Sequence, residues 1–426
     1  MSPFGILILT AFLAVALVRL VMTVRLIQVF LRKHPERVPV EEWPMVVAVM
    51  ALRGGDEFLK ETLARLTSMD YPNYILRLVI DSETDPSLKV VNDFLEVERP
   101  SHVEVCFLGE RPMTCSGKVA GMLRGTQNLP TVCSVVAVFD GDAVVQRSCL
   151  RQLVEPLMNG ASLSTGNRWY APPESSIGAL TRFAWNGCAL SIMNSVQIPW
   201  GGCMAMQRSV ITDPELRRRL SLAFGEDSTI ATFLLQRNLQ IRFVPESTVV
   251  NQEDCSITGF YNFLVRQYLT VRLHNPRWNF VFGTNLAIGI VMIGGNIYFA
   301  LGYDRYLLPI LAGYLIVLSE VILELVAGTL LVRRQKSREG LTLPPFRGMF
   351  WVMIPIALTL LNHMNPIACI HALLIRTHVW RGITYEFFGD PMVRIIAVNA
   401  PNGSSQPVTE RSDPASSLSA DLQKIC

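Results

Sequence analysis

The chain has 426 residues, half of them hydrophobic, and a formal charge of +3. Its mean hydropathy is positive, which soluble proteins seldom show, so an ordinary soluble enzyme is excluded. The small basic excess sits beside apolar stretches, as membrane flanks do, so nucleic acid is not an expected partner.

Taken from its start, the chain opens with an apolar stretch at residues 4–22. It lacks an early basic region and an A-x-A-like cleavage site, and so reads as a retained membrane anchor. Arg25, Arg32, Lys33, His34 and Arg37 follow it, and the positive-inside tendency puts them in the cytoplasm. Residues 1–37 are therefore an anchor with its basic flank, and residues 38–279 a cytoplasmic domain. That domain alternates strand-like runs with amphipathic stretches, which calls for a doubly wound, mostly parallel α/β sheet. PMVVAVMA (44–51) is a first strand, followed by a Gly-containing loop and a helix with Leu59, Leu63 and Leu66 on one face. ILRLVIDSETD (75–85) is a second strand ending in acids, and VEVCFL (103–108) a third, leading to a helix that opens at Gly117 and Lys118.

The fourth strand, VVAVFDGDAVV (135–145), runs from β-branched and apolar residues into Asp140, Gly141 and Asp142. Ligands of open α/β sheets bind beyond the carboxyl ends of the strands, and paired carboxylates there suit a hard cation, Mn²⁺ or Mg²⁺, carrying a nucleotide diphosphate. The alternative for a D-x-D triplet is a solvated turn. ASLSTGNRWYAP (161–172) is a further strand and loop. WGGCMAMQRSVI (200–211) places two glycines before an apolar run. In FGEDSTIATFLLQ (224–236), Glu226 and Asp227 stand at a helix start, where acids also serve as caps.

Beyond residue 279, apolar stretches at 280–302 and 306–332 are long enough to span a membrane. Arg266, Arg272 and Arg277 flank the first, and Arg333 to Arg338 (RRQKSR) the second. Glu320 and Glu324 lie inside the latter, where acids face a protein interior or polar ligand, or pair with neighbouring helices. The stretch 349–375 is interrupted by NHMNP. A straight span would carry RTHVWRG (376–382) outside, so a broken or re-entrant hairpin and a lipid-facing floor are expected. Residues 280–390 thus form a transmembrane and re-entrant region, and residues 391–426 a mostly disordered tail rich in Ser, Pro, Asn and Asp. Nine cysteines without C-x-x-C or metal spacing are expected as free thiols.

In order, Arg53-Gly54-Gly55, Tyr71-Pro72 before Asp81 and Asp85-Pro86, Gly117-Lys118, Asp140-Gly141-Asp142, Trp200-Gly201-Gly202 with Arg208, and Glu226-Asp227 together resemble membrane-bound glycosyltransferase family 2. These are GT-A enzymes, and the ceramide glucosyltransferase-like branch is most similar, over residues 44–385. The resemblance implies that Asp81 accepts a hydrogen bond from a uracil-type base, Lys118 contacts the nucleotide, and Asp140 and Asp142 hold a metal on the diphosphate. It makes Asp227 the general base of an inverting displacement. The family's Arg-Trp motif is absent: Arg266 can take its first place, but Leu269 and Thr270 fill the Arg-Trp positions. Arg272, or Arg277 with Trp278, are the substitutes, unless these arginines merely flank the membrane. The expected function is transfer of a sugar from a UDP-sugar to a lipid hydroxyl at the cytoplasmic face. The alternatives are a processive polysaccharide synthase and a catalytically silent membrane binding protein on the same fold.

Overall fold

β-Branched runs such as VVAV at 135–138 become strands buried on both faces. The computed structural model describes residues 3–32, 43–171, 176–301, 307–343, 345–346, 348–387, 393–400 and 405–406. A long helix α1 (Pro3–Leu31) precedes β1 (Met45–Leu52), α2 (Leu59–Thr67), β2 (Tyr74–Ile80), α3 (Pro86–Glu98), β3 (Val103–Phe107), α4 (Gly117–Gly125) and β4 (Cys133–Phe139). The domain continues with α5 (Cys149–Met158), β5 (Leu163–Tyr170), α6 (Ile177–Val196), β6 (Cys203–Gln207), α7 (Arg208–Ile211), α8 (Pro214–Leu220), α9 (Glu226–Gln236), β7 (Ile241–Asn251) and α10 (Ile257–His274).

The strands form one sheet in the order β3-β2-β1-β4-β6-β5-β7, a GT-A fold. All neighbours run parallel except β6, which is antiparallel to both β4 and β5. The reversal has a local cause. Gly202 accepts a hydrogen bond from the Asp140 amide (3.0 Å), so β6 enters at the end where β4 finishes and must run back along it. The order turns at β1 and β4, which places the carboxyl ends of β2 and β4 beside one crevice.

The second half carries α11 (Trp278–Ala300), α12 (Leu307–Ser337) and α13 (Gly348–Leu374), then β8 (Thr377–Trp380), β9 (Ile383–Phe387), β10 (Val393–Asn399) and β11 (Ser405–Gln406). By length and composition, three described helices can cross a membrane: Leu9–Leu31, Leu308–Ser337 and Gly348–Leu374. α11 is equally apolar, with Trp278–Gly294 as its fully described part.

Two expectations are corrected. The stretch expected to break at NHMNP is one continuous helix, α13, despite Pro355 and Pro366. Proline removes one backbone hydrogen bond, and α13 is held on three sides by α6, α10 and α11, so packing keeps the helix whole. Both its ends nevertheless adjoin helices of the α/β domain. Phe350 packs on Phe183 of α6 with ring centres 6.0 Å apart, and Arg272 of α10 donates to the carbonyls of Ala372 (2.7 Å) and Leu373 (2.9 Å). The second correction concerns the region after residue 376. It holds a four-stranded antiparallel sheet, β11-β10-β9-β8, where a membrane region and then a disordered tail were expected. Alternation in ITYEF, with Ile383, Tyr385 and Phe387 buried, is the strand signal. The rest of the expected tail, residues 401–404 and 407–426, lies outside the described residues. None of the described cysteines is in a disulfide.

Glu320 and Glu324 pair with a neighbouring helix. Arg19 of α1 donates Nε to Glu320 (2.7 Å) and Nη2 to Glu324 (2.5 Å), and lies 3.4 Å from Cys188 Sγ of α6. One guanidinium thus ties α1 and α12 to the catalytic domain. Removing one member of a buried ion pair strands the other charge and costs about 3–5 kcal/mol, more than replacing all members together. Arg19→Met should therefore lower the thermal midpoint in detergent further than Arg19→Met combined with Glu320→Gln and Glu324→Gln. Equal losses would show that the cluster does not act as a unit.

Candidate active site

A cavity of about 260 Å³ opens at the carboxyl ends of β2 and β4 and is lined by Asp81, Lys118, Asp140, Asp142, Glu226 and Asp227 among others. Loops after parallel strands converge there, which brings together acids distant in sequence. A wider surface concavity, about 790 Å³, lies elsewhere. Its Arg147 and Arg151 already donate to the Ser68 and Asp70 carbonyls, so they are committed within the fold.

Lys118 sits at the start of α4, whose N-cap is Ser116. Its ammonium bridges Asp140 Oδ1 (2.6 Å) and Glu226 Oε1 (2.5 Å). Burial opposes its charge, but the two carboxylates more than offset this and raise its pKa. Asp142 is held by Arg168 of β5, a residue that sequence reasoning passed over. Arg168 donates Nη1 to Oδ2 (2.9 Å) and Nη2 to Oδ1 (2.7 Å) in a two-point fork, with Asp140 Oδ2 3.7 Å away. Burial favours the neutral form of Asp142, yet the guanidinium overcomes it and keeps the carboxyl below its ordinary range.

Asp227 lies in the first turn of α9, where Gly225 is the N-cap without side-chain help. Neither acid of the Glu226-Asp227 pair occupies the capping position, so capping alone does not account for them. Asp227 Oδ1 accepts from the Ser228 amide (2.6 Å). Burial, then repulsion from Glu226, pushes its pKa up to about 6, against the pull of Lys118. Gly201 and Gly202 permit this crowding. A Cβ on Gly201 would lie 2.0 Å from Glu226 Oε1, and one on Gly202 2.4 Å from Asp140 Oδ2.

Asp81, at the end of β2, accepts from Arg53 and Arg111, one on each oxygen. Arg53 in turn donates to the carbonyls of Arg381 (2.8 Å) and Asn399 (2.6 Å), tying the second sheet to the crevice. That sheet closes the cavity. The β8–β9 turn has positive φ at Arg381 and Gly382, Arg381 donates to Asp56 (2.9 Å), and the Tyr385 hydroxyl accepts from the Gly117 amide (3.1 Å).

The other sequence candidates separate. Arg266 of α10 lines the cavity, and its guanidinium lies 4.7 Å from the Trp380 ring centre. Trp380 of β8, followed in sequence by Arg381, thus stands against Arg266. Among the described residues Arg266 has no carboxylate within ion-pair distance, and burial lowers its pKa. Arg272 is not brought to the cavity, because its guanidinium caps the carboxyl end of α13. Arg277 donates to Val196 (3.2 Å), and Arg208 to Pro130 (2.7 Å) and Thr131 (3.1 Å), so both act in packing. Asp85 caps α3 and accepts from the Gly54 amide (2.9 Å).

Two carboxylates suit Mg²⁺ or Mn²⁺, which complete their shells with water and phosphate. Beside this pair stand two more carboxylates, Glu226 and Asp227, and the cations Lys118, Arg168, Arg266 and Arg381 line the same cavity. Among the described residues no cluster of three or more His, Cys, Asp or Glu builds a closed metal site.

A mostly parallel sheet with paired acids at a strand end, a half-buried carboxylate beside them and helices long and apolar enough to cross a membrane make up a GT-A fold of the glycosyltransferase class. The sequence profile of glycosyl transferase family 21 matches residues 6–391, and the chain belongs to that family. The resemblance to family 2 thus resolves to family 21, itself GT-A-like. Among curated proteins none matches. Solved structures similar to it include mannosyltransferase PcManGT from Pyrobaculum calidifontis in complex with GDP-Man and Mn²⁺. That likeness is 15% identical, with TM-score 0.47, and covers 86% of this chain and 98% of that one. Glucosyl-3-phosphoglycerate synthase from Mycobacterium tuberculosis in complex with Mn²⁺, UDP and product is 14% identical, with TM-score 0.36, covering 53% and 80%. S. aureus TarS 1–349 is 11% identical, with TM-score 0.36, covering 83% and 100%.

If Asp227 must be ionised to work, the acidic limb of the kcat/KM profile should fall near pH 6. Glu226→Gln removes the neighbouring negative charge, so the limb should move to lower pH. A limb that stays in place would show that Asp227 does not control it.

Proposed function

We propose that the protein transfers a sugar from a UDP-sugar to a lipid hydroxyl with inversion, from a catalytic domain on the cytoplasmic face. The observation that carries this reading is the placement, in one cavity, of a half-buried carboxylate whose pKa is pushed up to about 6, Asp227, and a half-buried guanidinium with no carboxylate partner among the described residues, Arg266. The first suits a proton acceptor, and the second wants an anion.

In this reading Asp81 accepts from the base of the nucleotide. A carboxylate has about four acceptor positions, so its two arginines leave capacity for a base N–H. Arg266 and Arg381 meet the diphosphate, and Lys118 keeps Asp140 and Glu226 aligned. Asp140 and Asp142 would hold the divalent cation, whose chemistry is to neutralise charge building on the departing diphosphate. Asp227 takes the proton from the acceptor hydroxyl as its oxygen bonds to the anomeric carbon and the bond to UDP breaks. A single displacement from the opposite face inverts the configuration.

Support for a lipid acceptor comes from the cavity's other wall. Trp185, Asn186 and Met193 of α6 and Phe263 of α10 line it, and these helices carry α13. Asn186 Oδ1 and Asn167 Nδ2 are buried there without hydrogen-bond partners, as befits groups awaiting a polar headgroup. α13, whose two ends both adjoin the catalytic domain, is read as lying along the membrane surface, and α1, α11 and α12 as the spans. The basic residues beside them support a cytoplasmic catalytic domain, by the positive-inside tendency.

Incubation of purified protein in detergent with a panel of UDP-sugars and lipids, followed by mass detection, tests the reading. It expects a glycosylated lipid, and free sugar alone or an elongating polymer would overturn it. Asp227→Asn separates binding from chemistry: UDP affinity should stay within about threefold, and turnover should fall by about 10²–10⁴. Near-normal turnover would remove Asp227 from the mechanism.

A further inference from the structure

Arg168 occupies the acid pair in a way that the reaction just described does not use. Its fork takes both oxygens of Asp142, at 2.9 and 2.7 Å, and leaves Nη2 3.7 Å from Asp140. The guanidinium is walled by aromatic rings, 4.9 Å from the centre of Trp200 and 5.9 Å from that of Tyr170, and its buried Nε has no acceptor. As the chain is folded, then, Asp142 is already neutralised by a resident cation.

A divalent ion that binds Asp140 and Asp142 has to share the Asp142 oxygens with Arg168. Alone, the ion would weaken a charge-assisted two-point interaction and face the guanidinium across a few ångströms, cation against cation. A nucleoside diphosphate changes that balance, because its phosphate oxygens can ligate the ion and also accept from the guanidinium. We propose that Arg168 makes cation binding conditional on the nucleotide: it holds Asp142 until the pair arrives, then passes to the diphosphate. Resting on the donor and metal reading above, this adds an order to it and a positioning role for Arg168.

The test is Mn²⁺ binding to the full-length protein in detergent, followed by calorimetry and by the loss of the free-ion spin-resonance signal, with and without saturating UDP. Wild type should bind Mn²⁺ at least about tenfold more tightly with UDP than without it. Arg168→Gln should tighten binding of Mn²⁺ alone by about tenfold or more, the scale of one charge-assisted interaction lost. Arg168→Lys keeps the charge and should stay near wild type. Equal wild-type affinity with and without UDP overturns the proposal, and this comparison needs no variant. So does Arg168→Gln binding no tighter while wild type with UDP binds normally, a result that spares the metal reading. Wild type that binds no Mn²⁺ even with UDP overturns the metal reading and this proposal together.

Discussion

Four carboxylates gathered at one end of a dry sheet are the constraint on which the rest of this molecule depends. Bringing Asp140, Asp142, Glu226 and Asp227 together, Glu226 buried and the others half-buried, is unfavourable unless cations accompany them. The fold supplies Lys118 from the start of α4 and Arg168 from β5, and these two hold the acids in fixed directions. Asp227 receives no such partner of its own, so it keeps an elevated proton affinity. One cluster thus contains a carboxyl held below its ordinary range, Asp142, and one pushed above it, Asp227, a separation set by environment alone.

The second sheet completes what the first begins. Its turn residue Arg381 stands over the crevice, with Tyr385 against Gly117 and Trp380 against Arg266. Phe224, just before the Gly225 cap of α9, packs on Trp380, Tyr385 and Phe387 with ring centres 5.1–5.7 Å apart. The helix that carries Asp227 and the roof of the cavity therefore share one aromatic core. A change in either is felt by the other, because packed aromatic clusters do not deform continuously.

Much of this was legible in the chain. Strands announced themselves by β-branched runs ending in acids, and those acids do meet at one crevice. What stayed hidden were partners and directions. Arg168 was part of a stretch read only as strand, and its value lies in Asp142, 26 residues away across the sheet. Arg381 finds Asp56 over 325 residues, and Arg19 finds Glu320 over 301. No periodicity encodes such pairs. Arg272 looked equivalent to Arg266, six positions off on the same helix, but that spacing turns it toward the carbonyls of α13 instead of the cavity. The reversal of β6 was invisible for a different reason, since direction depends on which end of β4 the Gly201-Gly202 loop approaches.

α13 shows how an apolar pattern can mark a helix correctly and its path wrongly. Its composition suits a membrane, and two prolines with NHMNP suggested a break. Yet Tyr268 of α10 donates to Asn365 (2.9 Å), and Pro366 packs where a side chain on Gly289 of α11 would stand, so the polar and proline positions serve contacts along an unbroken helix. A helix bound at both ends to the catalytic domain cannot carry its two ends to opposite sides of a bilayer. In the proposed reading, with the domain cytoplasmic, α13 lies along the surface of the membrane. A lipid would then reach Asp227 by rising past α6 and α10, with its hydroxyl in the cavity and its chains still among the helices. That geometry admits a membrane-held acceptor without extracting it, and it gives the apolar outer face of α13 a reason to exist.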